Sequence, residues 1–116
     1  MPGAIQSFSD FWPEYVLAHC KPLTRAFHFL GTFLGWALLV AAFLLHRWWL
    51  VVGVVIVPYG LAWTSHFLVE HNRPATFDHP LWSFLADQKM LLMIVIGRMN
   101  QEVRRCAENI QTRRSD

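Results

Sequence analysis

The sequence predicts an all-α integral membrane protein: a transmembrane helical hairpin with an N-terminal interfacial helix and a C-terminal amphipathic helix, a four-helix arrangement. Of the 116 residues, 54% are hydrophobic and only 16% are charged, which is charge-poor for a globular chain. Residues 29–45 and 48–69 contain no charged side chain, and each run has the roughly 17–25 residues that a transmembrane helix needs. A chain of this length is expected to form one membrane-embedded domain over residues 1–116.

Residues 5–20 predict the interfacial helix. Ser9 and Asp10 are candidate N-caps. Apolar and aromatic side chains follow at helical spacing, at Phe11, Trp12, Tyr15 and Val16. Because Trp and Tyr prefer the headgroup layer, we expect these aromatics to hold the helix flat on the membrane. The preceding residues lack the basic segment of a signal peptide, so the first span is expected to remain in the mature protein.

The two spans are predicted at residues 23–45 and 48–70. Only a few residues around Arg47 separate the apolar runs, so the second span must return antiparallel to the first. Gly31 and Gly35 form a small-xxx-small face on the first span, which should let the second approach closely. Pro58 lies inside the second span, where a neighbouring group is expected to satisfy the freed carbonyl.

The remaining chain is predicted as a polar loop over residues 71–80, an amphipathic helix over 81–109 and an Arg-rich frayed tail over 110–116. Apolar residues recur at helical spacing in the predicted helix, at Leu85, Leu92, Val95, Met99, Val103 and Cys106. The uncharged stretch of this helix, residues 90–97, is too short to cross the hydrocarbon layer of a membrane alone.

Charge and cysteine content exclude several classes of protein. The net charge of +2 comes without the basic, groove-reading face of a nucleic-acid binder. Cys20 and Cys106 lack the spacing of a disulfide framework or a zinc finger, so both are expected to be free thiols. Most basic residues near the spans lie on one side of the hairpin, with Arg47 opposite, which predicts cytoplasmic termini.

Histidines are predicted to gather at one end of the hairpin. His28 lies 18 residues before His46 in the turn, and His66 lies 20 after it, so both are about 27–30 Å from the turn. Glu70 follows His66 by four residues, on the same helical face. His19 is expected to fold back toward His28 through the Lys21–Pro22 bend. Histidine nitrogens with a carboxylate suit Fe(II), whereas closed zinc sites usually recruit cysteine.

Other polar residues near this end are secondary candidates. His71 and His79 lie in the polar loop. Asn72 and Arg73 are candidates for binding a substrate carboxylate, although a loop cap or a headgroup contact fits them equally well. Asp87 is a candidate of the same kind, with a helix-dipole role as its alternative.

Two hypotheses other than an Fe(II) site also follow from these residues. His28 and His66 at one depth could serve as the axial ligands of a haem in an electron-transfer protein. Alternatively, the chain is a non-enzymatic membrane module whose histidines only tie helices together. Against that reading, desolvating His19, His28, His66 and Glu70 without mutual pairing would be costly.

Residues 15–90 contain a series of specific motifs: Tyr15-x-x-x-His19, His28 with Gly31, Ser65-His66-Phe67-x-x-Glu70-x-Asn72-Arg73-Pro74-Ala75-Thr76-Phe77, Pro80-x-Trp82-Ser83 and Asp87. Together these motifs resemble the 2-hydroxy fatty acid dioxygenase family. The run from Glu70 to Phe77 is its most specific part.

The resemblance implies an Fe(II)-dependent α-oxidation, in which a long-chain 2-hydroxy fatty acid and O₂ react and the acid loses its carboxyl carbon. It implies His19, His28 and His66 as essential residues, with Glu70 as a further ligand and Arg73 or Lys89 holding the substrate carboxylate. The substrate would enter from membrane lipid. The expected location is the inner membrane of a bacterium or the endoplasmic reticulum of a eukaryote. The oligomeric state is left open, a homo-oligomer included.

Overall fold

The computed structural model describes residues 5–115 apart from the Arg114 side chain. All regular elements of the described residues are helices. The five α-helices are α1 (Phe8–Leu17), α2 (Pro22–Leu45), α3 (Leu50–Ser65), α4 (Pro80–Val95) and α5 (Met99–Ser115). A π-helix (His66–Glu70) continues α3, and a 3₁₀ turn (Ala75–Phe77) precedes α4. The predicted all-α class is therefore confirmed for the described residues.

The chain divides into two compact units. The hairpin unit consists of Lys21–Pro74 and contains α2, α3 and the π-helix. The terminal unit consists of residues 1–20 and 75–116 and contains α1, α4 and α5. The sequence analysis predicted one domain over the same residues.

Glycine contacts hold the two helices of the hairpin unit together. His46 ends α2 in the left-handed conformation, with φ of 52°, and the chain returns as α3. A Cβ atom placed on Gly31 would lie 3.1 Å from Pro58 Cα, and one on Gly35 would lie 2.7 Å from Pro58 Cγ. The predicted close approach at these two glycines is confirmed.

The helices of the hairpin unit have the length and composition of membrane spans. α2 has 24 residues, and α3 with the π-helix has 21, and both are apolar enough to cross a membrane. In their most apolar 18-residue windows only 28% and 17% of the residues, respectively, are buried. Most of the apolar surface of both helices therefore faces outward.

Aromatic side chains of α1 form the core of the terminal unit. Ser7 is the N-cap of α1, its hydroxyl accepting from the Asp10 N–H at 3.2 Å, in place of the predicted Ser9 or Asp10. The core is made of apolar and aromatic residues of α1, α4 and α5, namely Phe11, Trp12, Tyr15, Val16, Ala86, Met90, Met99 and Cys106. The predicted headgroup role of the α1 aromatics is therefore wrong, because α4 and α5 cover the face that would meet lipid.

A polar contact inside this core joins α1 to α5. Trp12 Nε1–H donates to Glu102 Oε1 at 2.8 Å, and Arg105 donates to the same carboxylate. The Arg105 hydrogen bonds, helped by that of Trp12, lower the pKa of Glu102 to about 2. Neither cysteine forms a disulfide, as predicted, and Cys20 is exposed whereas Cys106 is buried.

The helix predicted over residues 81–109 is two helices, because Gly97 ends α4. Gly97 has φ of +75°, a conformation that costs other residues roughly 1–2 kcal/mol. Its N–H donates to Ile94 O at 3.1 Å, and the Arg98 N–H donates to Met93 O at 2.8 Å, which is a Schellman termination. α5 then runs to Ser115, so the predicted frayed tail is helical up to that residue; Asp116 lies outside the described residues.

Candidate metal centre

His28 and His66 meet inside the hairpin unit. Their Nε2 atoms are 3.2 Å apart, and the rings are nearly perpendicular, with centroids 5.0 Å apart. Both side chains are buried, with 5% and 2% of their surfaces exposed. The prediction that these two histidines share one level of the hairpin is confirmed, and the structure shows that their rings face each other.

The π-helix sets the position of His66. α3 changes to π-helical hydrogen bonding at this residue, a feature often found at functional sites. The chain then turns at His71, which is left-handed with φ of 57°, and the Asn72 N–H donates to His66 O at 2.9 Å. This turn brings the Asn72 amide oxygen to within 2.7 Å of His66 Nδ1.

That contact determines which ring nitrogen of His66 carries a proton. An amide oxygen can only accept, so His66 Nδ1–H donates to Asn72 Oδ1. The lone pair of the neutral ring is then on Nε2, the atom that faces His28. Metal-binding histidines are usually oriented by such a contact to the nitrogen that does not bind the metal.

His19 is oriented in the same manner within the terminal unit. Its Nδ1–H donates to the Tyr15 backbone carbonyl at 2.5 Å, and its ring stacks on the Tyr15 ring at 4.1 Å between centroids. The Tyr15 hydroxyl donates to Asp87, and burial together with the Asp87 charge raises the pKa of Tyr15 well above its usual value. The His19 lone pair is therefore also on Nε2.

Two buried histidines offer close nitrogen atoms suited to a metal ion. Inside the hairpin unit, His28 and His66 each turn Nε2 toward the other ring. Two imidazole nitrogens that each bind one ion at about 2.1 Å are roughly 3.0–3.4 Å apart when the nitrogen–metal–nitrogen angle lies between a right angle and the tetrahedral angle. The 3.2 Å between the Nε2 atoms of His28 and His66 falls in this range. The residues present therefore fit a metal with open coordination positions.

Glu70, predicted as a further ligand, lies outside this histidine group. Its Oε1 accepts the Lys21 backbone N–H at 2.7 Å, and Lys21 Nζ donates to Val69 O at 2.8 Å. These contacts tie the start of α2 to the end of the π-helix. The carboxylate thus holds together the two segments that carry His28 and His66.

The predicted substrate-binding residues are engaged in different contacts. Asn72 orients His66, and Asp87, in the middle of α4 rather than at its N-terminus, accepts from Tyr15. Lys89 Nζ lies 4.2 Å above the Trp12 ring, a cation–π contact. Arg73 is exposed. Their substrate-binding roles stay predictions.

The two secondary histidines lie outside the group as well. His71 is exposed in the turn after the π-helix. The His79 ring packs among aromatics, 5.5 Å from Phe11 and 5.4 Å from Trp82 between centroids.

Sequence reasoning missed the orienting role of two residues that it had named and missed two further residues altogether. Tyr15 and Asn72 orient histidines; the spacing of four between Tyr15 and His19 was visible, but a hydrogen bond to a backbone carbonyl has no sequence signal. Thr24 and Arg25 are buried polar residues one helical turn before His28, and their charge or polarity within an apolar stretch could have identified them.

One comparison with known proteins identifies a family. The model of the Mpo1-like family, described as 2-hydroxy-palmitic acid dioxygenase Mpo1-like, matches residues 5–99. Searches of curated proteins and of solved structures found no match.

Proposed function

The chain belongs to the Mpo1-like family of 2-hydroxy-palmitic acid dioxygenases, and from this premise we propose that it is an Fe(II)-dependent dioxygenase that shortens 2-hydroxy fatty acids by one carbon. The observation that carries the proposal is the pair of buried histidines His28 and His66, whose Nε2 atoms are 3.2 Å apart; His19 is proposed as the third ligand. Imidazole ligands suit iron among other metals and leave coordination positions open for O₂ and substrate, and the dioxygenase activity of the family favours iron.

The proposed reaction balances with O₂ as the sole oxidant. Converting a 2-hydroxy acid to the acid one carbon shorter and CO₂ removes four electrons, which is what the reduction of one O₂ accepts, and water is the remaining product. Bound iron would supply the activation of O₂.

The residues of the chain supply orientation and exclusion of water. Asn72 Oδ1 and the Tyr15 carbonyl each hold a histidine Nδ1 proton, so that Nε2 of His66 and of His19 remains a ligand atom. All three histidines are at most 5% exposed, which protects reactive species from bulk water.

We also propose that α2 and α3 with the π-helix cross a membrane. Large apolar side chains on both helices are exposed, such as Phe33, Phe43, Val52 and Ile56, each at least 55% exposed, and a soluble monomer rarely carries such continuous apolar surface. A long-chain acid would then enter from the lipid. The basic flanks support cytoplasmic termini, with the inner membrane or the endoplasmic reticulum as the compartment.

The haem hypothesis gains no support from the site. Axial nitrogens on opposite faces of a haem are separated by two metal–nitrogen bonds, about 4 Å in total. His28 and His66 Nε2 are 3.2 Å apart, and the rings would have to separate to admit a macrocycle.

The test is turnover by iron-loaded protein. Protein purified anaerobically and loaded with Fe(II) is expected to convert 2-hydroxypalmitate and O₂ to the fifteen-carbon acid, detected by mass spectrometry. His66→Ala should abolish both turnover and tight iron binding with helix content unchanged.

The matched control is His46→Asn, because this histidine lies in the turn at the far end of α2 and asparagine tolerates its left-handed backbone. It should retain both iron and turnover. Unchanged substrate with fully loaded iron would refute the dioxygenase proposal. Histidine variants that only lower stability, with no change in metal content, would instead indicate a non-enzymatic module.

A further inference from the structure

The first turn of α2 contains a buried hydroxyl without a partner. Thr24 is 0% exposed, and its Oγ1 has no hydrogen-bond partner. Leaving a buried hydroxyl unpaired costs roughly 1–3 kcal/mol, so such an atom is unusual in a folded protein. Since the neighbouring residues provide no partner, a ligand is the natural candidate to provide one.

The next residue along α2 is a buried cation. Arg25 is only 7% exposed, and arginine is almost never buried to this degree unless its charge is paired. It has interactions of its own in the structure, but five N–H donors accommodate more than one partner, and two of them match the geometry of a carboxylate.

The backbone of this turn also favours an anion. α2 begins at Pro22, and the side chain of its N-cap residue, Lys21, makes no capping hydrogen bond. Pro22 has no N–H and the Arg25 N–H donates to Lys21 O at 3.2 Å, so in this turn the N–H groups of Leu23 and Thr24 have no acceptor within the helix. The positive end of a 24-residue helix attracts negative charge. Glu70 already places a carboxylate on the Lys21 N–H at this end.

The position of the turn relative to His28 completes the argument. Thr24 and Arg25 precede His28 by four and three residues, so each is a neighbour of His28 on the surface of α2, roughly 4.5–6 Å from it along the axis. In a 2-hydroxy acid the carboxylate is bonded directly to the carbon that carries the hydroxyl. A carboxylate held at Thr24 and Arg25 would therefore present the reacting carbon toward His28.

We propose that the first turn of α2 is the carboxylate-binding site for the 2-hydroxy acid, with the Arg25 guanidinium as the charged donor and the Thr24 hydroxyl as a second donor. This inference rests on the proposed function and replaces Arg73 and Lys89 as the residues that hold the carboxylate. It assigns to Thr24 and Arg25, which lie beside the metal centre, the specificity for 2-hydroxy acids over long-chain alcohols that lack a carboxylate.

Equilibrium binding of two probes tests the assignment. 2-Hydroxypalmitate and 1,2-hexadecanediol share the chain and the 2-hydroxyl, and only the first has a carboxylate. Full-length protein in lipid nanodiscs, kept anaerobic to prevent turnover, is expected to bind the acid more tightly than the diol. Arg25→Gln should weaken acid binding about 10- to 100-fold, the range for a charged hydrogen bond, and leave diol binding and iron content unchanged.

Two further variants separate recognition from folding. Thr24→Val keeps the shape and removes the hydroxyl, and should weaken acid binding about 2- to 10-fold, the value of one neutral hydrogen bond. Arg25→Lys keeps the charge without the planar fork, so its affinity should lie between those of the wild type and Arg25→Gln. Arg47→Gln, the same substitution in the exposed turn, is the matched control and should bind both probes as the wild type does.

Equal affinity of the wild type for acid and diol would overturn the assignment. So would Arg25 and Thr24 variants that keep the wild-type preference for the acid, or variants whose affinities for acid and diol fall by the same factor. Acid-selective binding that disappears in Arg25→Gln, in a protein that never turns over 2-hydroxypalmitate, would refute the dioxygenase and retain the carboxylate site.

Discussion

Single hydrogen bonds decide the chemistry of the histidines. An imidazole binds a metal through the nitrogen that lacks a proton, so the acceptor at Nδ1 is as important as the ring itself. The Asn72 amide oxygen and the Tyr15 carbonyl provide these acceptors for His66 and His19, at 2.7 and 2.5 Å. Residue counting from the turn placed His28 and His66 at one depth, but it gave no information on Asn72, because a contact across a π-helical turn depends on backbone geometry.

Asn72→Leu is expected to lower metal affinity roughly 10- to 100-fold, the usual effect of losing such a contact. The leucine removes the acceptor, so the His66 ring is free to rotate or to place its proton on Nε2. Co(II) titration followed by absorption spectroscopy measures the change without turnover. Asn72→Asp keeps an oxygen acceptor and should restore metal affinity. Asn109→Leu, at an exposed position of α5, is the control. Wild-type affinity in Asn72→Leu would contradict the orienting role.

Helix pairing depends on two glycines and one proline. The small-residue spacing of Gly31 and Gly35 predicted a close contact, and the structure shows that the contacted residue is Pro58. Local sequence also contained the signal that divides the C-terminal helix, since Gly97 in a left-handed conformation ends α4. The apolar period continues through that glycine, so periodicity alone predicted a single helix over residues 81–109.

Gly35→Ala is expected to destabilise the hairpin unit by about 1–3 kcal/mol, the usual cost of overpacking a tight contact. The new Cβ would lie 2.7 Å from Pro58 Cγ, so the two helices must separate. Gly60→Ala is the matched control on the partner helix, because no atom lies within 4 Å of its added Cβ. Denaturant unfolding in detergent micelles measures both. Equal stability of the two variants would show that the contact at Gly35 is not close in solution.

For the molecule as a whole, the surface of the hairpin unit is the strongest indication of a lipid environment. Its two long helices bury few of the residues in their most apolar windows. The terminal unit differs, because its α1 aromatics are enclosed by α4 and α5. Hydropathy distinguished the charge-free runs of the hairpin helices from the amphipathic N-terminal helix, but only packing showed that the aromatics of α1 form a core.

The chain is expected to stay in the membrane fraction through alkaline carbonate washing and to be released by detergent. Val55→Lys places a charge on the exposed face of α3, where Val55 is 56% exposed, and should weaken insertion by about 2.5–3.5 kcal/mol. Glycosylation-site mapping of inserted chains measures that loss. Gln111→Lys, at an exposed position of α5, is the control. Release of the wild type by carbonate alone would rule out membrane-spanning helices.

The sequence was sufficient to predict the all-α class, the antiparallel hairpin and the histidines that share one end of it, through hydropathy, residue counting and short motifs. These features depend on local spacing along a helix, which the sequence contains directly. The two compact units, the Glu70 contact with Lys21, the histidine tautomers and the buried first turn of α2 depend on residues distant in sequence or on irregular backbone, so only tertiary structure decides them. The histidines could thus be named from the sequence, whereas the atoms that orient them could not.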